Sequence, residues 1–214
     1  MHRAITRFYE RIGPERCERI EAVAMDMWKP YMTATKKCCP KAEIVFDKFH
    51  IIAHMGKVID KVRNQQYKKA SKKHQEVLKG IKYLLLRKRK NVRGHRRVRL
   101  SEVLAINKPL NTLHLLREDL NQLWEYQYPG SALNFFQDWY RMAMYSKIEP
   151  LKKFARMLKR HWGGIVAHCQ YKIHTSLLEG INNKAKVIKR VAYGYHDSDY
   201  FFLKLRAAFP GVQS

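Results

Sequence analysis

Long apolar segments are absent from this 214-residue sequence. Its wholly apolar runs reach only about five residues, whereas a membrane-spanning helix needs about 20. The start, Met1-His2-Arg3, leads into no apolar signal segment. We therefore expect a cytoplasmic protein. Hydrophobic residues still make up 46% of the chain, which is enough to build a core and excludes a fully disordered basic tail.

Cysteine is scarce, with four residues, two of them adjacent at Cys38 and Cys39. This spacing gives no disulfide framework and predicts reduced thiols. A zinc site could be imagined from Cys38, Cys39, His50 and His54, but adjacent cysteines do not readily reach one tetrahedral ion. Cys17 and Cys169 are interpreted as buried or idle thiols with no base nearby.

Acidic residues are also few: 18 Asp and Glu stand against 43 Lys and Arg, and the formal net charge is +25. Residues 57–100 alone hold seventeen basic and two acidic residues. So large an excess repels itself unless an anionic partner shares it, and nucleic acid is the first candidate.

Ten of these cations form what we call the basic strip: Lys68, Lys69, Lys72, Lys73, Arg87, Lys88, Arg89, Lys90, Arg96 and Arg97. No motif that reads bases accompanies them, so we expect contacts with the DNA backbone. The alternative is a solvated helix face followed by a flexible basic loop.

Most of the sequence has the period of an α-helix. Apolar residues recur every three or four positions in four stripes, which begin at Ile51, Leu110, Leu133 and Leu151. Pro109 and Pro150 suit first helical turns, and Pro129-Gly130 is predicted to be a turn. Aromatic residues between Trp124 and Tyr145 are assigned to the core in preference to a base-stacking platform: Trp124, Phe135, Phe136, Trp139, Tyr140 and Tyr145.

Two short apolar runs near the amino end, at 20–26 and 42–47, each finish at an aspartate. Between them lies a helix-like stretch from about Pro30 to Cys39. Strand, helix, strand is the economical interpretation, and it gives a parallel βαβ unit. Asp26 and Asp47 would then lie at the carboxyl ends of strands, where open α/β sheets place their ligands.

A further helix is predicted around Glu179, with an apolar stripe formed by Leu178, Ile181, Ala185, Ile188 and Ala192. Glu179 lies on a neighbouring face with Lys186 and Arg190, and Tyr193-Gly194-Tyr195 is predicted to end the helix. A carboxylate in this setting can be held rigidly, or it can be a surface residue paired with Lys186.

Three specific stretches accompany the helical middle of the chain: VAMDMWKPYM (23–32), CPKAEIVFDKFHIIAH (39–54) and EGINNKAKVIKRVAYGY (179–195). From about Ile20 onward the chain resembles the ISL-three family of bacterial insertion-sequence transposases. The resemblance implies a DDE-type enzyme, an RNase H-like core and a helical region inserted between the second Asp and the Glu. The expected fold class is α/β, an incomplete RNase H-like core with two parallel strands and a large all-helical insertion.

The resemblance also assigns roles to residues. Asp26 corresponds to the second catalytic Asp and Glu179 to the Glu, and both would hold Mg²⁺ or Mn²⁺ in a complete enzyme. Asp47 with His50 resembles a supporting Asp-x-x-His element, although His50 could also be a plain packing residue. The basic strip and the second cationic group, Lys186, Lys189 and Arg190, would hold the DNA backbone.

The expected domains are a partial core at 1–56, a basic helical insertion at 57–170 and core helices at 171–214. The chain departs from the family pattern because no Asp precedes Asp26. We therefore expect an amino-terminally truncated transposase that is inactive alone. Its expected partners are DNA and either a second copy of the chain or an intact transposase in a mixed oligomer. The alternatives are a non-enzymatic DNA-binding protein, an inhibitor of an intact transposase, or a basic RNA-binding protein.

Overall fold

The structure is a computed structural model that describes residues 2–173, 176–192, 194 and 196–209, with side chains from residue 5 and, after the first gap, from residue 180. These residues form a mainly helical fold with one small sheet. The elements are α1 (His2–Ile12), α2 (Pro14–Glu18), β1 (Ala22–Met25), α3 (Lys29–Cys38), β2 (Glu43–Phe46), α4 (Lys48–Lys69), α5 (Lys72–Leu78), α6 (Lys82–Leu86), α7 (His95–Ile106), α8 (Lys108–Gln122), α9 (Pro129–Tyr145), α10 (Glu149–Arg160), α11 (Trp162–Val166), α12 (Ser176–Val191) and α13 (Ser198–Ala208).

The chain divides into two compact units, residues 1–172 and residues 173–214. The first holds the sheet and the main core. The second is the pair α12 and α13, in which the Lys184 ammonium donates a hydrogen bond to the Ala208 carbonyl at 2.7 Å. Asp197 caps α13 by accepting from the backbone amides of Asp199 and Tyr200.

The predicted βαβ unit is confirmed, because β1 and β2 are parallel neighbours joined through α3. The four residues of β1 are half-buried, whereas Ile44, Val45 and Phe46 of β2 are buried. On the other side of α3, the Tyr9 hydroxyl of α1 lies 2.8 Å from the Thr35 hydroxyl, both buried. The sheet of the described residues is therefore covered more fully along β2 than along β1.

The predicted helical stripes form the main core, except that Leu133, the predicted start of the α9 stripe, is 37% exposed. Trp139 is fully buried, and its indole N–H donates to the Leu116 carbonyl at 2.7 Å, which ties α9 to α8. The buried residues that match the predicted stripes are Ile51, Met55, Ile59, Val62, Leu110, Leu113, Leu116, Leu120, Phe136, Trp139, Ala143, Leu151, Phe154, Ala155 and Leu158.

Close packing also fixes β2 against α11. A Cβ atom placed on Gly164 would lie 2.5 Å from the Phe46 ring and 2.9 Å from the Ile44 carbonyl oxygen. Only a residue without a side chain allows this approach. Strand β2, which leads to Asp47, therefore packs against α11, a helix that lies more than a hundred residues later in the chain.

Three local predictions were wrong. Pro129 and Gly130 begin α9, because proline fits the first helical turn as well as it fits a turn. Tyr145 is 82% exposed at the carboxyl end of α9, where the helix leaves the core. Cys169 does have a base nearby, since His168 Nε2 lies 3.7 Å from its sulfur, and burial raises the pKa of the thiol.

Candidate functional site

Asp26 and Asp47 directly follow the two strands. The register pairs Met25 with Phe46, so the next residue on each strand is an aspartate at the same edge of the sheet. The Asp47 amide donates to the Met25 carbonyl at 3.1 Å and continues the ladder beyond the strands. The predicted placement of both aspartates at the carboxyl ends of neighbouring parallel strands is confirmed.

Each carboxylate uses one oxygen to order the backbone after its strand. Asp26 Oδ1 accepts from the Met27 amide at 2.7 Å, and Asp47 Oδ1 accepts from the Phe49 amide at 2.9 Å. The second bond makes Asp47 the N-cap of α4. Both side chains are therefore oriented by the main chain, and in each the Oδ2 atom takes no part in these bonds.

His50 lies between the two remaining oxygens. Its Nδ1 is 3.7 Å from Asp26 Oδ2 and its Nε2 is 3.9 Å from Asp47 Oδ2. These distances exceed those of hydrogen bonds, so the contacts are electrostatic and depend on protonation of the imidazole. We call Asp26, Asp47 and His50 the sheet edge.

His54 lies one turn further along α4. Burial lowers the pKa of this imidazole, Lys57 and His50 lower it further, and the charge of Asp26 acts in the opposite direction. The side chain is therefore kept neutral near pH 7, and the sheet edge has a neutral histidine on the same helix as His50.

The oxygen ligands of the sheet edge are of the type that Mg²⁺ and Mn²⁺ prefer. The Asp26 side chain is 40% exposed, and its Oδ2 atom lies 3.7 Å from His50 Nδ1. Among the described residues, however, no three His, Cys, Asp or Glu side chains are grouped to hold a metal ion. The residues of the zinc hypothesis form no such group either. The sheet edge alone is not a complete metal site.

Glu179 belongs to α12, so the helix predicted around it is confirmed, but its side chain lies outside the described residues. Within the predicted stripe, the described members are half-buried, and Leu178 is outside the described side chains; the half-buried members are Ile181, Ala185, Ile188 and Ala192. Gly194 has φ +99° and donates its amide to the Lys189 carbonyl at 3.0 Å, which supports the predicted glycine end of the helix; Tyr193 and Tyr195 are outside the described residues. The convergence of Glu179 with Asp26 stays a prediction.

The basic strip is exposed along its whole length. It runs from the end of α4 through α5, continues after α6 and ends in the first turns of α7. None of its ten side chains is in the ion pairs found among the described residues, whereas neighbouring Asp60 is paired with Arg63 at 3.0 Å and Lys82 at 2.9 Å. The strip therefore keeps its full charge available to an external anion. Lys186, Lys189 and Arg190 are likewise exposed on α12.

Two features beside these regions were not predicted from the sequence. Lys48 directly follows Asp47, and its ammonium lies 5.1 Å from the centre of the Trp124 ring. Burial lowers the pKa of Lys48, nearby Glu125 raises it and Lys88 lowers it. Because Lys48 is adjacent to Asp47 in the sequence, its place beside the sheet edge could have been predicted.

The second missed feature is the pair formed by Arg117 and Glu118. Arg117 is only 5% exposed, and its guanidinium donates to Glu118 Oε1 at 2.7 Å. It also donates to the backbone carbonyls of Leu86 and Arg87, at the start of the loop between α6 and α7. No local pattern indicated this role, because these contacts join residues about thirty positions apart.

The chain is similar to known transposases over most of its length. A family model with the description "Transposase", of the ISL-three (ISL3) DDE type, matches residues 1–205. The transposase for insertion sequence element IS1001 from Bordetella parapertussis is 45% identical over 207 residues, which cover 95% of this chain and 51% of that protein. The transposase for insertion sequence element IS1557 from Mycobacterium tuberculosis, strain H37Rv, is 21% identical over 88% of this chain and 47% of that protein.

The chain thus spans about half the length of the curated relatives it matches. No solved structure matches it significantly. In the described residues, no helix is both long and apolar enough to cross a membrane.

Proposed function

The chain belongs to the ISL-three family of DDE transposases, and we propose that it is the catalytic-domain portion of a transposase. Its reaction class would be metal-dependent phosphodiester cleavage and strand transfer in DNA transposition. The observation that carries this proposal is the sheet edge, where two adjacent parallel strands end in Asp26 and Asp47. These aspartates lie within the residues that the family model matches.

The two strands would be part of an RNase H-like core. In that arrangement Asp26 is the second catalytic Asp, Glu179 is the catalytic Glu, and Asp47 with His50 supports the Asp26 carboxylate. The 3.7 Å contact between His50 and Asp26 is consistent with such support. A protonated His50 would reduce the repulsion between the two carboxylates that flank it.

Asp26 and Glu179 are also the proposed ligands of a divalent metal, Mg²⁺ or Mn²⁺. Such ions activate the attacking oxygen and stabilise the leaving oxygen in phosphoryl transfer. Asp26 offers a partly exposed carboxylate on an ordered backbone. Two carboxylates bind such ions weakly, so only a small fraction of the chain would hold the ion.

Broadening of amide NMR signals by Mn²⁺ detects such low occupancy. We expect the signals of Asp26 and Glu179 to broaden together at low Mn²⁺ concentrations, and Asp26→Asn to abolish both effects. Asp138→Asn is the control, since Asp138 lies on α9 and is paired with exposed Arg141. Broadening at Asp26 without Glu179 would contradict the shared site.

The chain by itself is proposed to be inactive, because no Asp precedes Asp26 in its sequence and the family pattern has three carboxylates. Purified chain, incubated with Mg²⁺ or Mn²⁺ and terminal-repeat DNA, should leave the DNA intact. Nicking that Asp26→Ala abolishes would contradict the proposed inactivity while supporting the assigned catalytic residue.

A second candidate function is DNA binding without catalysis, either alone or as an inhibitor in mixed oligomers with an intact transposase in the cytoplasm. The exposed and unpaired basic strip favours it. Gel shifts with element ends and with unrelated duplex, across a salt series, test this function. If the affinity is equal for any polyanion and falls steeply with salt, the strip binds only by general charge attraction.

A further inference from the structure

A concave pocket of about 480 Å³ lies between the loop after α6 and the helix α8. Five of the eight residues that line it are cationic, and the other three are Val92, Glu118 and Asn121. The five cations are Lys88, Arg89, Lys90, Arg93 and Arg97. We call this the cationic pocket. Four of its five cations belong to the basic strip, and Arg93 is the fifth; the pocket differs from the rest of the strip because its cations line a concave space.

The one carboxylate in the lining is already engaged. Glu118 Oε1 accepts from the buried Arg117 guanidinium at 2.7 Å, and Oε2 accepts from the Arg89 backbone amide at 3.3 Å. An incoming anion therefore meets a carboxylate whose charge is balanced by a buried cation. The five lining cations are left to act on the ligand.

The walls of the pocket are held in place by the core. Arg117 donates to the carbonyls of Leu86 and Arg87 at the start of the loop, and Val92 in its middle is buried at 3% exposure. A loop fixed at both points loses less conformational freedom when it binds a ligand than a free basic loop does. Contacts with the core therefore hold residues 86–92 at both ends.

The amino end of α7 adds to the positive potential of this region. The helix begins at His95 between the two lining residues Arg93 and Arg97, after Gly94 with φ +57°. No side chain caps its first turn. Unused amides and the helix dipole at such an end favour phosphate.

The pocket is close to the start of α4. Lys88 is near enough to Lys48 for its charge to lower the pKa of that lysine, and Lys48 directly follows Asp47 of the sheet edge. A DNA strand bound in the pocket would therefore pass near the sheet edge, which is proposed to take part in phosphodiester cleavage.

We propose that the cationic pocket is a phosphate-binding site that grips one backbone phosphate of DNA, with Arg93 and Arg97 as its principal donors. Guanidinium groups suit this role because they offer two parallel donors to the oxygens of one phosphate. This inference rests on the proposed function only for the source of the phosphate, which is DNA.

The first test uses inorganic phosphate alone, at constant ionic strength, with NMR detection of arginine Nε–H and asparagine side-chain amide signals. We expect saturable shifts at Arg93, Arg97 and Asn121 in the wild type, and loss of the Asn121 shift in Arg93→Gln/Arg97→Gln. The control Lys68→Gln/Lys69→Gln removes the same charge from the strip outside the pocket and should keep the shifts. Shifts that do not saturate, or that survive in the pocket variant, overturn the site.

The second test adds a 20-base-pair duplex and measures binding by fluorescence anisotropy. The pocket variant should lose about tenfold in affinity or more, the scale of a hydrogen bond to a charged group. The control variant should lose only a few-fold, as for exposed point charges. Equal losses in the two variants overturn the inference and leave general DNA binding intact.

Competition identifies the source of the phosphate. Saturating duplex should displace inorganic phosphate from the pocket, which supports DNA as the ligand. If phosphate still shifts Arg93 and Arg97 at saturating DNA, the DNA assignment is overturned. If the duplex does not bind at all while phosphate does, the proposed function fails and the phosphate site stands.

Discussion

The sheet edge and the basic strip reach their functional geometry in opposite ways. At the sheet edge, three side chains are positioned by strand register, by hydrogen bonds to the following backbone and by a helix cap. Along the strip, ten exposed cations act through their number, and the core fixes them in place only around the cationic pocket. Chemistry at a fixed point needs the first kind of order, whereas attraction of a polyanion needs only the second.

The largest effect is expected where the strip is anchored to the core. Arg117→Met leaves Glu118 and the carbonyls of Leu86 and Arg87 without their donor. The free energy of unfolding should fall by about 3 kcal/mol, as for one partner removed from a buried ion pair. Urea denaturation measures this. Arg141→Met, at an exposed ion pair, is the control and should change stability by less than about 0.5 kcal/mol. Similar losses of stability in the two variants would show that Arg117 does not anchor the loop between α6 and α7.

The next effect tests the packing behind the sheet edge. Gly164→Ala forces a Cβ atom against the Phe46 ring and the Ile44 carbonyl, and should cost about 2 kcal/mol. Gly163→Ala, one residue earlier in the same helix, has no atom within 4 Å of the added Cβ atom. It should be neutral or stabilise by up to about 1 kcal/mol. Thermal unfolding measures the stability of the two variants. Equal melting temperatures would contradict the close approach of Gly164 to Phe46 and Ile44.

A smaller effect separates the structural role of Asp47 from its charge. Asp47→Ala removes the cap of α4 and should cost about 1 kcal/mol. Asp47→Asn keeps a capping oxygen and should cost much less, while it removes one of the two charges that flank His50. Chemical denaturation measures the stability of both variants. Equal losses of stability in the two variants would contradict the role of Asp47 as the cap of α4.

The smallest expected effect is on the stability of the protein at low pH. The hydrogen bond from Lys82, with a second from Arg63, lowers the pKa of Asp60 below its ordinary value. Since the unfolded chain binds the proton more readily, this contribution to stability is present above the unfolded pKa of about 3.9 and is lost as pH falls through the folded pKa. Asp60→Asn should therefore lose less stability than the wild type between pH 7 and pH 3 in urea titrations. An identical acid loss in the variant would contradict this role of the pair.

Much of the fold could be predicted because its signals are local. The stripes of α4, α8, α9 and α10 follow helical period, and their predicted apolar residues are mostly buried. The two runs before Asp26 and Asp47 are short and apolar with a break at Pro40, which is enough to indicate strands. Parallel pairing then places both aspartates at one edge, so this part of the candidate site followed from the sequence.

The wrong predictions for Pro129, Gly130 and Tyr145 concern residues whose neighbours in sequence fit two different structures. Pro129 and Gly130 suit a turn and the first turn of a helix equally well, and the choice depends on what α9 packs against. Tyr145 continues an aromatic cluster in sequence, yet it lies where the helix leaves the core. Its surroundings are set by other elements.

Local sequence sets the helical period, the two strands, the position of each aspartate at the end of its strand, and the concentration of charge in residues 57–100. These follow from the intrinsic preferences of neighbouring residues and from a count of charges. Packing of the first unit places His50 between the two carboxylates, Gly164 against Phe46, and Arg117 at the loop of the cationic pocket. Most of these contacts join distant positions of the chain, so they form only when the elements of that unit pack together.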